Sequence, residues 1–402
     1  MHGPLEVKMD SNFVVTQNPQ RSDWRGPNAS LIGQPGSRSA LGTPALVLDL
    51  DRVDANIRSM AAHAQLHGYQ LRPAVKIHKS AAIARRQVDA GAVGVCCATL
   101  GEAEAMVDAG VPGVLLFTSV VSEAKLQRLA ALNARAEDFI VVTDDFDNVT
   151  QLGRVTRATG QTLQVLVDFE LGGGRTGLAD QGSAVALARH IQETDGLDFA
   201  GIQAYNGQGL AGLEYAARRT MVLERGDRVS QLLAEFEAAG LHPRIVSGGG
   251  TGSHDIDPET GVFTEIQVGT YVVMDGYYKD TVMRRNEPHP FAPALTVWGT
   301  VVSAAQPGFV ITDVGLKEID GAFGPISPTV ISGAPAGASY SLVGDDLGRI
   351  DFASADDGLP VGARFELLPP HCYQTVALYS VYHCVAGDEL VGIWPIDALR
   401  SW

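Results

Sequence analysis

Eight short apolar segments, separated by helical stretches, constrain the fold of this chain more than any other feature. Near-continuous apolar strands that alternate with helices are typical of a parallel sheet covered on both faces. Eight such units predict a closed (β/α)8 barrel, with an open doubly wound sheet as the alternative. The segments are rich in β-branched residues and begin at positions 71, 93, 114, 139, 164, 199, 244 and 265.

The helical pattern ends near residue 290, and the sequence beyond it predicts a second, mainly β domain. Strands are expected in the segments at 295–304, 309–316, 340–344, 364–370, 373–383 and 388–396. The apolar segment TPALVLDL at 43–50 is expected to join this domain. Residues 1–40 are rich in Gly, Pro, Ser and Asn and predict an irregular arm. The expected units are therefore an arm at 1–40, a barrel at 41–290 and a β domain at 291–402.

Composition limits the classes of partner. A formal net charge of −16 argues against binding the phosphate backbone of a nucleic acid. The N-terminal sequence lacks the basic-then-apolar layout of a signal peptide, and no run approaches the ~20 apolar residues of a membrane span. Four cysteines do not make a disulfide framework in 402 residues. We expect a cytoplasmic protein without a nucleic-acid or membrane partner.

Lys76 ends the first barrel strand, and barrel enzymes place their sites at the carboxyl ends of strands. A lysine in a barrel mouth is poorly hydrated, which lowers its pKa and suits Schiff-base chemistry. The alternative is a solvated loop lysine without function. Lys79 competes for the role, but it is expected on the first turn of the next helix and pointing outward.

Two glycine-rich loops follow other barrel strands. SGGGTG at 247–252 ends the seventh strand, where the backbone amides of a barrel commonly hold a phosphate. GGGRTG at 172–177 presents Arg175, which can donate to a phenolate or carboxylate. Tyr205, at the end of the sixth strand, can pack on a planar ligand. The structural alternatives are a turn without a ligand, an Arg175–Glu170 surface pair and a half-buried tyrosine.

Nine blocks of the sequence, taken in order, resemble the D-threonine aldolase and D-serine dehydratase branch of the alanine-racemase-like enzymes, which use pyridoxal phosphate. The resemblance runs from Thr43 to the C-terminus, and the C-terminal block is more similar to the aldolases. The blocks are TPALVLDLDRVDANI, RPAVKIHKS, CATLGEAEAMVDAG, GGGRTG, GIQAYNG, SGGGTG, EIQVGTYVVMDGYY, DVGLK and PPHCYQTVALYSVYH with WPIDA.

The resemblance implies a set of roles. Lys76 would carry pyridoxal phosphate as a Schiff base, and Arg175 would approach its phenolic oxygen. Tyr205 would lie in the cofactor pocket, with Gln267 and Tyr271 at the pocket mouth. The backbone of one loop would hold the phosphate: Gly249, Gly250, Thr251 and Gly252.

The chain departs from the family pattern at three places. Ala74 and Asn206 stand where the family usually or often has His. The aldolases typically show His-x-Asp in the C-terminal block and the dehydratases His-x-Cys, whereas this chain has His371 followed by Cys372 and Tyr373. Neutral tyrosine is a poor ligand for Mn²⁺ or Mg²⁺. His371 is therefore a metal-ligand candidate without its usual partner.

The resemblance implies an aldolase-type lyase that cleaves the Cα–Cβ bond of a 3-hydroxy-D-amino acid to glycine and an aldehyde. It also implies a homodimer. The altered metal motif leaves two enzymatic alternatives, a dehydratase that releases ammonia and a metal-independent racemase or transferase. A non-catalytic protein that binds pyridoxal phosphate is the alternative from another class.

Overall fold

The computed structural model describes residues 25–210, 212–281, 289–321 and 326–399. Most of the predicted N-terminal arm, residues 1–24, lies outside these ranges. From Pro27 the chain forms two short 3-10 helices, Pro27–Leu31 and Ser37–Ala40. The chain then enters strand β1 (Ala45–Asp49), which leads directly into helix α1 (Leu50–His67).

All eight predicted barrel strands form, so the predicted fold is confirmed. The strands are β2 (Gln70–Leu71), β3 (Val95–Cys97), β4 (Val114–Leu116), β5 (Ile140–Thr143), β6 (Leu163–Asp168), β7 (Leu197–Ala204), β8 (Ile245–Gly248) and β9 (Glu265–Ile266). The helices between them are α2 (Ala81–Asp89), α3 (Leu100–Asp108), α4 (Glu123–Asn133), α5 (Phe146–Thr159), α6 (Gln181–Glu193), α7 (Tyr215–Ala238) and α8 (Asp257–Thr260). Within the described residues, no helix combines the length and apolar character needed to cross a bilayer.

The barrel strands are parallel and follow the order β2-β9-β8-β7-β6-β5-β4-β3. Backbone contacts just after β2 close the gap to β3. Ala74 and Cys96 form an isolated parallel bridge, and the amide of Cys96 donates to the carbonyl of Pro73 at 2.8 Å. Small and medium-sized apolar side chains form a buried cluster within the barrel: Ala74, Cys96, Leu115, Ile140, Val142, Leu166 and Ala200.

Side-chain caps start several of the barrel helices. The carboxylates of Asp145 and Asp180 accept the amide of the third residue beyond them, at the first turns of α5 and α6. Gly160 ends α5 in the left-handed conformation, which glycine adopts without strain. Because the barrel strands are parallel, the residues at their carboxyl ends gather at one mouth.

The second domain is a nine-stranded sheet. Its strands after the barrel are β10 (Leu295–Ser303), β11 (Phe309–Thr312), β12 (Thr329–Ser332), β13 (Ser339–Leu342), β14 (Gly348–Asp351), β15 (Arg364–Leu368), β16 (Val381–Ala386) and β17 (Glu389–Pro395). β1 completes the sheet between β10, to which it is antiparallel, and β16, to which it is parallel.

One predicted strand of this domain is wrong in part. The segment 373–383 was expected to be continuous strand, but it contains helix α9 (Cys372–Val376) and reaches β16 only at Val381. The chain leaves β15 through Pro369 and Pro370, and the Asp275 carboxylate then accepts the amide of Cys372 at 3.2 Å. This hydrogen bond ties the start of the helix to the barrel, since Asp275 lies in the loop after β9.

Candidate active site

The carboxyl ends of the barrel strands enclose a cavity of about 420 Å³. Its size lies within the range of pockets that bury a small ligand. Loops of the barrel and the start of α9 both contribute to it. The lining residues are Ala74, Lys76, Ile77, Phe117, Arg175, Gln203, Tyr205, Gly207, Gln208, Gly209, Gly250, Thr251, Gln267, Gly269, Thr270, Tyr277, Tyr278, His371 and Tyr373.

Lys76 lies in a short 3-10 helix, Val75–Ile77, that follows β2. Its Nζ is 5.5 Å from the centre of the Phe117 ring and 5.4 Å from that of Tyr373. Burial lowers the pKa of Lys76, and the positive charge of Arg175 acts in the same direction. The lowered pKa enlarges the neutral fraction of this amine, the form that attacks an aldehyde.

Lys79 takes a different position from the one predicted. It precedes α2 with φ of +51°, and so it is not part of a helical turn. Its side chain is only 17% exposed and forms an ion pair with Glu102. Lys79 therefore points into the protein, where its charge is neutralised, and Lys76 is the lysine that lines the cavity.

Arg175 reaches the cavity from the glycine-rich loop after β6. Its Cζ lies 5.0 Å from the centre of the Tyr205 ring, a cation–π distance. Glu170 is engaged by the loop itself, since its carboxylate accepts the amides of Gly172 at 2.7 Å and Gly174 at 2.9 Å. The structure thus brings Arg175 and Tyr205 together at the cavity, with Glu170 holding the loop.

A buried polar network forms the floor of the cavity. Gln203 donates to the Asp168 carboxylate at 3.1 Å and accepts from Gln267 at 3.1 Å. Thr176 donates to the other carboxylate oxygen of Asp168 at 2.6 Å, and Gln267 also donates to Ser247 at 3.0 Å. Burial raises the pKa of Asp168, although the hydrogen bonds from Thr176 and Gln203 oppose that shift. The network fixes the side chains below any ligand in the cavity.

The loop after β8 approaches the cavity closely. Gly250 and Thr251 line it, while Gly249 and Gly252 are packed against neighbours. Gly249 has φ of +66°, and a Cβ there would lie 2.6 Å from the Asp257 carboxylate. Only glycine adopts this positive φ without strain and has no Cβ to clash with the carboxylate.

Side chains behind this loop hold its shape. Arg218, on α7, donates to the carbonyl of Gly252 at 2.6 Å and pairs with Asp255, both side chains being at most 3% exposed. Asp257 accepts from Asn206 and from Ser253, each at 2.9 Å. Burial raises the pKa of Asp257 to about 6.

Tyr271 does not line the cavity, contrary to prediction. Its side chain is 1% exposed, its hydroxyl accepts from Gln87 at 2.9 Å, and its ring centre lies 5.5 Å from that of Phe291. The residue meets the site only through its backbone amide, which donates to the Thr251 hydroxyl at 3.1 Å. Gln267, the other residue predicted at the mouth, does line the cavity.

His371, the metal-ligand candidate, lines the cavity. The ring of His371 faces that of Tyr373, with 3.5 Å between their centres. The carboxylate of Asp275 accepts backbone amides, those of Tyr277 at 3.1 Å and Cys372 at 3.2 Å among them. In the part of the chain that the structure describes, no group of three or more His, Cys, Asp or Glu is placed to hold a metal. Burial, together with the charge of Lys76, lowers the pKa of His371 to about 3.

Several lining residues were not among the predicted site residues. Phe117 and Gln203 lie at the carboxyl ends of β4 and β7, so the strand-end rule applied to every strand would have found them. Tyr277 and Tyr278 end the block EIQVGTYVVMDGYY. Gln208 lies in a loop after β7 that carries no comparable signal.

Each of the two domains matches a known protein family. The family described as "Alanine racemase, N-terminal domain" matches residues 48–276, and the one described as "Putative serine dehydratase domain" matches residues 294–385. The D-threonine aldolase of an Arthrobacter species is 35% identical over 91% of this chain and 95% of its own. The 3-hydroxy-D-aspartate aldolase of Paracoccus denitrificans (strain Pd 1222) is 32% identical over 90% of this chain and 92% of its own.

Solved structures give the same grouping. The crystal structure of D-threonine aldolase from Filomicrobium marinum superposes with a TM-score of 0.83 at 34% identity, covering 89% of this chain and 95% of that one. The D-threo-3-hydroxyaspartate dehydratase from Delftia sp. HT23 has a TM-score of 0.81 at 26% identity, covering 91% and 99%. The chain therefore belongs to the alanine racemase N-terminal domain family.

Proposed function

We propose that the protein is a pyridoxal-phosphate-dependent lyase of the aldolase type. It would cleave the Cα–Cβ bond of a 3-hydroxy-D-amino acid and release glycine and an aldehyde. The observation that carries the proposal is the position of Lys76, a desolvated amine in the cavity of a chain that is 32–35% identical to two such aldolases.

The residues present fit pyridoxal phosphate. Lys76 offers an amine of lowered pKa for its aldehyde, and Arg175 offers a guanidinium for its phenolic oxygen. The glycine-rich loop at Gly250 and Thr251 leaves backbone close to the cavity for a phosphate. Behind this loop, the buried Oδ1 of Asn206 has no hydrogen-bond partner among the described residues.

The protein's own groups would bind and orient the reactants. When bound, the cofactor supplies an electron sink for the pair left on Cα. Arg175 would hold the anionic face of the ligand, and the network through Gln203 and Asp168 would keep the cavity floor rigid. The rings of Phe117 and Tyr373 would exclude water around Lys76.

His371 lines the cavity and would offer a ring nitrogen as an acceptor for the β-hydroxyl proton. This role needs no divalent cation. The reaction as proposed therefore depends on the side chains that line the cavity.

An assay of aldehyde release tests the lyase proposal. The purified holoenzyme is incubated with D-threonine, D-phenylserine and 3-hydroxy-D-aspartate, with added Mn²⁺ and with a chelator. Aldehyde and glycine in equal amounts are expected from at least one substrate. If no aldehyde forms from any of the three substrates, either with Mn²⁺ or with the chelator, the proposal is rejected.

A dehydratase is the second candidate. The match of residues 294–385 to a putative serine dehydratase domain favours it, as does the overall similarity to the Delftia enzyme. A dehydratase would release ammonia and a keto acid from the same substrates. Identifying the products by mass spectrometry separates the two reactions.

We also propose a cytoplasmic homodimer. All four cysteines are free and buried, which suits a reducing compartment. Three apolar side chains of the β domain, Leu316, Val343 and Leu347, are each at least 43% exposed and lie on adjoining segments, a surface that a second subunit would cover. Sedimentation at micromolar concentration is expected to give twice the monomer mass, and a monomer would contradict the proposal.

A further inference from the structure

Four of the aromatic residues that line the cavity are here called the aromatic wall: Phe117, Tyr277, Tyr278 and Tyr373. The rings of Phe117 and Tyr373 lie at almost equal distances from the Lys76 amine, 5.5 and 5.4 Å. All four side chains are half-buried and line the cavity, so part of each ring is available to a ligand.

The wall is held in place from behind. The rings of Tyr277 and Tyr278 pack edge to face, with 4.9 Å between their centres. Tyr373 packs edge to face on His371 at 3.5 Å. Asp275 accepts the backbone amides of Tyr277 and Tyr278 at 3.1 and 3.2 Å. Rings fixed in this way present a preformed apolar surface, which binds a flat substituent at low entropic cost.

Charge at the cavity argues against a second substrate carboxylate. Of the described lining residues, only Lys76 and Arg175 are lysine or arginine. A carboxylate on Cβ would compete with the substrate's α-carboxylate and with the cofactor for these two groups. The aromatic wall itself offers no lysine or arginine to pair with it. Desolvating an unpaired carboxylate is strongly unfavourable.

We propose that Tyr373 is a specificity-determining residue and that the aromatic wall is the subsite for the Cβ substituent, selecting a flat apolar group such as an aryl ring over a carboxylate. This inference rests on the proposed function for its use of Lys76 and Arg175. It gives the substrate class as 3-hydroxy-D-amino acids with an aromatic or extended apolar side chain.

Binding of non-reactive ligands tests the subsite directly. D-Phenylalanine and D-aspartate lack the β-hydroxyl, so neither undergoes the proposed cleavage, and their dissociation constants are measured on the holoenzyme by calorimetry. D-Phenylalanine is expected to bind about 10-fold or more tightly than D-aspartate, the scale of discrimination that an apolar pocket gives. Equal binding of the two, or tighter binding of D-aspartate, overturns the inference.

Variants at Tyr373 test whether this residue sets the preference for D-phenylalanine over D-aspartate. Tyr373→Ala is expected to reduce the preference for D-phenylalanine about 10-fold, and Tyr373→Phe is expected to retain it. Tyr373→Arg supplies the missing cation and is expected to shift the preference towards D-aspartate. The matched control is Phe309→Ala, which removes a half-buried ring of the β domain that stacks on Arg349 and should leave the preference unchanged.

The outcomes separate this inference from the lyase proposal. If the preference holds but no aldehyde forms from any substrate, the lyase proposal fails and the subsite stands. If 3-hydroxy-D-aspartate is cleaved with a higher kcat/KM than D-phenylserine, the lyase proposal stands and the subsite is wrong. If Tyr373→Ala does not fold, as thermal denaturation would show, an unchanged preference in Tyr373→Arg rejects the inference on its own.

Discussion

The two lysines that follow β2 show how the surroundings of a residue decide its chemistry. Lys76 and Lys79 are three positions apart, yet Lys79 is neutralised by Glu102 and Lys76 lines the cavity without a carboxylate bonded to it among the described residues. An ion pair stabilises the charged form of an amine, whereas desolvation favours the neutral form. Lys76 therefore combines access to a ligand with a lowered pKa.

Substitution of the two lysines tests this difference. Lys76→Ala is expected to remove the borohydride-reducible adduct with pyridoxal phosphate and to lower activity by about 10³-fold or more. Lys79→Gln is the matched control. It should keep the adduct while lowering thermal stability, because Glu102 is left buried without its partner. Mass spectrometry of the reduced protein identifies the modified residue, and an adduct on Lys79 would contradict the assignment.

Sequence reasoning located residues at the ends of strands better than residues within loops. Lys76, Tyr205 and Gln267 line the cavity because each follows a barrel strand, a position that the apolar pattern defines. Tyr271 lies only four residues beyond Gln267, but the chain turns through a 3-10 helix, Thr270–Val272, that carries its side chain into the core. Spacing along a sequence does not encode that change of direction.

At the scale of elements, the loop between β8 and α8 has a pH-dependent stability. Asp257 is fully buried, and burial raises its pKa from an ordinary 3.8 to about 6. The folded state therefore holds this proton more tightly than the unfolded state. The resulting stabilisation is fully present below pH 3.8 and is lost as the pH rises through about 6, which amounts to about 3 kcal/mol.

Asp257→Asn removes the titrating carboxyl, so comparing the variant with the unmodified protein measures its contribution to stability. The free energy of unfolding of the unmodified apoprotein, minus that of the variant, is expected to fall by about 2 kcal/mol between about pH 4 and about pH 7. Urea denaturation at several pH values gives both quantities. A difference that is constant across this range, or that rises with pH, would contradict the raised pKa.

The buried pair between α7 and the same loop should be far more sensitive than the exposed pair beside it. Arg218→Met leaves Asp255 buried and is expected to cost about 3–5 kcal/mol of stability. Arg219→Met breaks the neighbouring pair with Glu259, whose side chains are 46% and 37% exposed, and is expected to cost less than about 1 kcal/mol. Chemical denaturation of both variants checks the ranking, and similar losses would show that the loop does not depend on Arg218.

The elements that sequence analysis found and missed differ in burial. Barrel strands such as β5 and β6 are buried on both faces, so they appear as apolar runs. Two strands of the β domain, β12 and β14, are four residues long and only partly buried, and their sequences TVIS and GRID carry no such run. Helix α9 was predicted as strand because its β-branched residues favour that state, while its tertiary contact with Asp275 decided otherwise.

The molecule as a whole has a core that both domains share. One buried cluster contains Leu71 and Ile77 of the barrel together with Leu295 and Tyr382 of the β domain. The hydroxyl of Tyr382 donates to the carbonyl of His78 at 2.5 Å, two residues from Lys76. Strand β1 precedes the barrel in sequence but lies within the sheet of the β domain. The chain therefore connects the two domains twice, once before the first barrel strand and once after the last.

Because the domains share this core, we expect them to unfold in a single transition. The barrel between β2 and β9 contains no tryptophan, while Trp298 and Trp394 lie in the β domain. Trp24 and Trp402 lie outside the described residues, so tryptophan fluorescence reports on regions other than β2 to β9, the β domain among them. Far-ultraviolet circular dichroism reports chiefly on the barrel helices. Coincident urea transitions for the two signals are expected, the criterion for cooperative unfolding. A β-domain transition that precedes the loss of helix would show instead that the barrel, with its lysine, is stable without the surface that completes the cavity.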